Sequence, residues 1–80
     1  MECKPDLNQV IVDLCDRAIT AREVRDYMRS VDNKLAYSEW THRWVVLSDA
    51  LSVLTGRNVE ECMTRRDFED IKKSVQTEKP

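Results

Sequence analysis

The sequence predicts an all-α chain, a small compact bundle of four helices plus one short helical turn. Apolar residues recur at three- and four-residue spacing along most of its length, the period of a helix with one buried face. One glycine and two prolines in 80 residues are too few for a turn-rich β protein. Short polar residues also stand ahead of the periodic stretches, four times with a Glu, Gln or Asp three places later, which is the pattern of a helix start.

The first element begins after Asp6, which forms a capping pair with Gln9 while Pro5 bars an earlier start. Leu7, Val10, Ile11, Leu14 and Ala18 then share one face, with Asp13, Asp16 and Arg17 on the other. Thr20 and Glu23 repeat the capping pattern ahead of Ala21, Val24, Tyr27, Met28 and Val31, so a separate second helix is expected from about Ala21 to Val31. Asp32, Asn33 and Lys34 have the composition of a reversal. Ser38 is a candidate N-cap for the third helix, with Lys34 as the alternative start. Its face of Trp40, Trp44, Leu47, Leu51 and Leu54 is widened by Val46, Ala50 and Val53, and so broad an apolar face touches several neighbours. Gly56 closes that helix as a left-handed cap.

Asn58 and Glu61 form a further capping pair before Val59, Cys62 and Met63. At about 100° per residue these point almost opposite to Phe68, Ile71 and Val75, so one straight helix cannot bury both sets. The expectation is a short helix over 59–63, a break with Thr64 as N-cap and Asp67 in the first turn, and a last helix from Arg65 to about Gln76. The chain is then a single helical domain over 1–80, with 1–5 and 77–80 expected to fray.

Thirteen Lys or Arg against fifteen Asp or Glu give a net charge of -2, which argues against a general nucleic-acid binder. Cys3, Cys15 and Cys62 are odd in number and contain no C-x-x-C pair, so neither a disulfide framework nor a zinc site is expected, and reduced thiols fit a cytoplasmic location. No unbroken apolar run exceeds the four residues Trp44 to Leu47, and Glu2 and Asp6 surround Lys4. Neither a membrane span nor a secretory signal is expected.

His42 is the one histidine; it has no partner nucleophile in the sequence and reads as a half-buried or surface group or a partner contact, ahead of a general base. Trp40 and Trp44 lie one turn apart, so the expectation divides them between core and contact surface. Arg22, Arg25 and Arg29 are expected on one exposed strip, where forked guanidinium groups would grip carboxylates or phosphates, against the plainer reading of a solvated face eased by Glu23 and Asp26. The pairs Glu61 with Arg65, Arg66 with Asp70 and Glu69 with Lys73 have the spacing of helix support. No catalytic residue, metal ligand or cofactor is assigned. The candidate partner-binding residues are Arg22, Arg25, Arg29, Trp40, His42 and Arg43.

In size and character, with its acidic all-helical chain, unpaired cysteines and sole histidine in Ser38-Glu39-Trp40-Thr41-His42-Arg43-Trp44, the sequence resembles the cytoplasmic antiholins of the third rapid-lysis locus of T-even bacteriophages. The resemblance is to the whole chain and transfers no residue roles. It implies a regulator in the host cytoplasm that binds the cytoplasmic segment of a holin and delays lysis. The residues themselves lead to a non-enzymatic regulator that binds protein, with a second copy of the chain as one candidate partner because the third helix has so wide an apolar face. The alternative is a helix-turn-helix DNA binder, although a helix carrying Glu39, two Trp and Arg43 is a poor reader of base edges.

Overall fold

The computed structural model describes residues 6–77. These form three helices, α1 (Leu7–Ser30), α2 (Lys34–Thr55) and α3 (Arg65–Thr77), with no strand among the described residues. The all-α class stands, and the count of four helices plus a turn is corrected to three. The fraying expected over 1–5 and 78–80 lies outside the described residues, and α3 runs on through Thr77.

The largest correction is α1. Asp6 caps it as expected, its carboxylate accepting from the Asn8 backbone N–H at 3.0 Å, while the Gln9 side chain donates to Asp13 instead. Thr20 starts no new helix. Neither Gly nor Pro lies between Asp6 and Thr55, and once a helix is nucleated each further residue adds a hydrogen bond at little cost. The expected first and second helices are therefore one. Its second half buries Ile19, Ala21 and Arg25, while Tyr27 and the C-cap residue Val31 remain exposed.

Both ends of the α1–α2 connection are set by short polar side chains. Asp32 takes the left-handed conformation (φ 58°), which Asp tolerates better than most residues. That lets the Asn33 N–H reach the Met28 carbonyl at 2.9 Å and the Asp32 N–H the Arg29 carbonyl at 3.2 Å, a Schellman closure. Asn33 then caps α2 by accepting from the Ala36 N–H at 3.2 Å. Lys34, not Ser38, therefore begins α2. Gly56 ends it at φ 71° as expected.

Between Gly56 and Thr64 the expected short helix over 59–63 is a turn, closed by the Met63 N–H on the Glu60 carbonyl at 3.1 Å. The Asn58 side chain reaches the Glu60 carboxylate rather than a helix end. Val59 is buried and its N–H donates to Ser52 Oγ at 3.1 Å, which ties the segment to α2. Thr64 and Asp67 make the expected reciprocal cap of α3: the Thr64 N–H donates to Asp67 Oδ2 at 2.6 Å, and the Asp67 N–H to Thr64 Oγ1 at 3.3 Å.

Both other helices pack on α1, and α2 meets α3 through side chains, with Trp44 edge-on to Phe68 at 6.1 Å between ring centroids. Ile11, Cys15, Ala18, Ile19, Ala21, Leu51, Val59 and Ile71 complete this core, with Val75 packed against it. The backbone framework is 17 Å deep in its thinnest direction, the depth of two packed helix layers. Among the described residues nothing covers the outer side of α2, where Leu35, Val46 and Val53 are 84%, 53% and 82% exposed.

Candidate functional site

The arginine strip expected on one exposed face divides three ways. Arg25 is buried at 6% exposure, its guanidinium bonded to Asp26 Oδ1 at 2.8 Å and Glu61 Oε1 at 2.9 Å. Burial works to lower its pKa, but the hydrogen bonds it donates to Glu61 and Asp26, with their charges, outweigh burial and raise it. Arg22 is half-buried, lying over the Trp44 and Phe68 rings at 5.1 and 5.4 Å and donating to the Glu61 carbonyl at 2.9 Å. Arg29 alone stays exposed, beside a hollow of about 90 Å³ lined also by Met28, Asn33 and Tyr37. The reading of three exposed arginines is thus corrected: two of them hold the 57–64 segment and α3 against α1.

The ion pairs follow the same rule. Glu61 turns to Arg25 instead of Arg65, and Arg65 reaches Glu23 on α1 at 3.0 Å. Lys72 bridges Asp16 at 2.8 Å and Glu69 at 3.2 Å; the Asp16 hydrogen bond is the chief reason that its pKa is raised. Of the charges read as support within one helix, Glu61 and Arg65 instead reach α1, while Glu69 stays paired within α3.

The two tryptophans part as expected. Trp44 is core, whereas Trp40 is half-buried with the Arg43 guanidinium 4.5 Å above its ring. Trp40, His42 and Arg43 come together on one side of a groove of about 650 Å³ between α1 and α2. The groove exists because α1 presents the short side chains Thr20 and Ala21 where α2 presents Trp40 and Leu47. Arg17 and Asp16 complete the α1 lip, and Val46 continues the α2 wall outward. Three of the six candidate contact residues therefore meet at one place. Arg17, Thr20, Val46 and Leu47 were not singled out from the sequence as contacts; the available signal was an apolar face on α2 too wide for a thin core.

The remaining titratable groups form no further site. The Cys15 thiol is fully buried, and desolvation pushes its pKa up from 9.0 to about 11, against the opposing pull of Lys72, the state of an inert thiol. Cys62 is exposed, and its thiol lies 3.7 Å from Glu60 Oε1. No group of three metal-ligating side chains occurs among the described residues, nor is any helix long and apolar enough to cross a membrane. Comparison with protein-family models, with curated proteins and with solved structures finds no match to this chain.

Proposed function

We propose that this chain is a non-enzymatic regulator that acts by binding another protein, and that the groove between α1 and α2 is where it binds. The observation that carries this reading is a half-buried Trp40 lining a groove whose α2 side also exposes Val46. Concave apolar surface with an aromatic anchor and an arginine on the rim is the composition of a binding hot spot. Apolar area left open on so small a chain is also the mark of a surface that is covered in use.

The antiholin resemblance supplies the most definite partner, the cytoplasmic segment of a holin, with the host cytoplasm as the setting and delayed lysis as the outcome. Of the sequence-expected contacts, Trp40, His42 and Arg43 carry this reading. Arg29 sits apart from them, and Arg22 and Arg25 serve the fold. The DNA-binding alternative gains no support, because α2, its candidate recognition helix, turns Leu35, Val46 and Val53 outward.

Isothermal titration of the chain with a synthetic peptide of a T-even holin cytoplasmic segment tests the proposal. Saturable binding that Trp40→Ala and Val46→Asp both abolish, with helical circular dichroism intact, is the expected result. Absence of binding at millimolar peptide removes the holin as partner. Binding that both variants retain removes the groove.

A further inference from the structure

The groove's chemistry specifies its occupant more narrowly than "a protein". Between its lips the groove has an apolar lining of Ala21 from α1 and Trp40, Val46 and Leu47 from α2. From Trp40 to Leu47 the α2 side of the groove is about 10 Å long, close to two turns of a facing helix.

The lips are cationic. Arg17 on α1 and Arg43 on α2 line the groove from opposite sides. Asp16 is the one carboxylate lining it, and it is already engaged by Lys72 at 2.8 Å. Glu39, one turn before Arg43 on the outer side of α2, does not line the groove. A chain of net charge -2 thus presents a locally positive trough.

From this charge pattern we infer that the occupant is an amphipathic helix of another protein, with an apolar stripe at i, i+3, i+4 and i+7 and Asp or Glu along both edges of that stripe. The inference rests on the protein-binding reading above and gives the partner its chemistry. Apolar side chains of the guest pack on Trp40, Leu47 and Val46, the usual mode of a helix in a groove. Guest carboxylates meet Arg17 and Arg43, whose planar forks bind them in pairs. A second copy of this chain fits less well: a two-fold interface brings each patch onto itself, so the arginine lips would face their own duplicates. A phosphate backbone has no use for the apolar lining between the arginines.

The test uses three labelled helical peptides of about 18 residues, one with a leucine stripe and glutamate edges, one with the same stripe and lysine edges, and one with the glutamates kept and the leucines scrambled. Fluorescence anisotropy should show the glutamate-edged peptide bound at least about tenfold more tightly than either other, a difference of about 1.4 kcal/mol. Arg17→Glu with Arg43→Glu should invert the charge preference while keeping helical circular dichroism intact, since both side chains are exposed and Arg43 gives up only its contact with the Trp40 ring. Equal binding of the peptides, a preference for lysine edges, or no binding overturns the inference. Sedimentation of the free chain as a dimer that dissociates on Val46→Asp overturns it in favour of a second copy. A holin segment that binds at Trp40 and Val46 but ignores the double charge reversal would sink this inference while leaving the protein-binding reading in place.

Discussion

Deleting the carboxylates around Arg25 should cost more than deleting Arg25 itself. The Arg25 side chain is 8% exposed, whereas Asp26 and Glu61 are 60% and 63% exposed. Replacing Arg25 by Met keeps most of the buried stem and releases two carboxylates that already face water, so the loss is about 1 kcal/mol, the scale of an exposed pair. Replacing both acids by Ala strands a guanidinium in the interface between α1 and the 57–64 segment, and removing the partners of a buried charge costs about 3–5 kcal/mol. For a domain this small each kcal/mol moves the melting temperature by roughly 4–8 °C. Arg25→Met should therefore melt within about 8 °C of the parent, and Asp26→Ala with Glu61→Ala at least about 12 °C below it. Thermal and urea unfolding followed by circular dichroism read both, and combining all three changes should recover part of the loss. A larger penalty for Arg25→Met than for the double acid variant would refute the reasoning, since the acids would then be the groups that depend on Arg25.

Phe68, fully buried against Trp44, should cost about 3–5 kcal/mol on change to Ala. That is much of the roughly 4–12 kcal/mol available to 80 residues, and loss of the near-ultraviolet tryptophan signal would report it. Alkaline titration should lower stability by about 3 kcal/mol between pH 9 and 11: the folded Cys15 thiol keeps its proton to about 11 against an ordinary 9.0, so its contribution is complete below the lower value and lost through the upper. The raised Lys72 pKa acts in the same direction, and a Cys15→Ala variant whose stability falls equally over that range would exclude the thiol. Gly56→Ala meets no neighbouring atom, so its cost is the left-handed backbone alone, about 1–2 kcal/mol. Thr64→Ala should cost about 1 kcal/mol by removing the cap of α3; a neutral result in urea unfolding at either position would show that the helix end is held otherwise.

What the sequence made legible was local. The Asp6, Gly56 and Thr64 ends each depend on one residue and its immediate neighbours, and the apolar face of Phe68, Ile71 and Val75 is a matter of period. Thr20 and Glu23 misled because a capping pair and two ordinary interior residues have the same spacing, and only the absence of a breaker between them decides for a continuous helix. The 59–63 segment misled for a related reason: Asn58 found Glu60 and Val59 found Ser52, contacts that favour a turn. Arg25 was misplaced because its second acidic partner, Glu61, lies far along the chain, while Asp26 beside it suits an exposed pair as well as a buried one. Of the site, the α2 wall of Trp40, His42 and Arg43 was visible in sequence. The α1 wall was not, because the groove depends on Thr20 and Ala21 being short at the place where the two helices meet.

The account turns on the α1–α2 groove being a surface that receives a helix. Backbone amide NMR of the labelled chain, titrated with the glutamate-edged helical peptide, tests that most directly. The account predicts shift changes concentrated at Arg17 to Ala21 and at Trp40 to Leu47, together with the Trp40 indole. Changes centred on α3 or on Arg29, or a spectrum unmoved at saturating peptide, would contradict it.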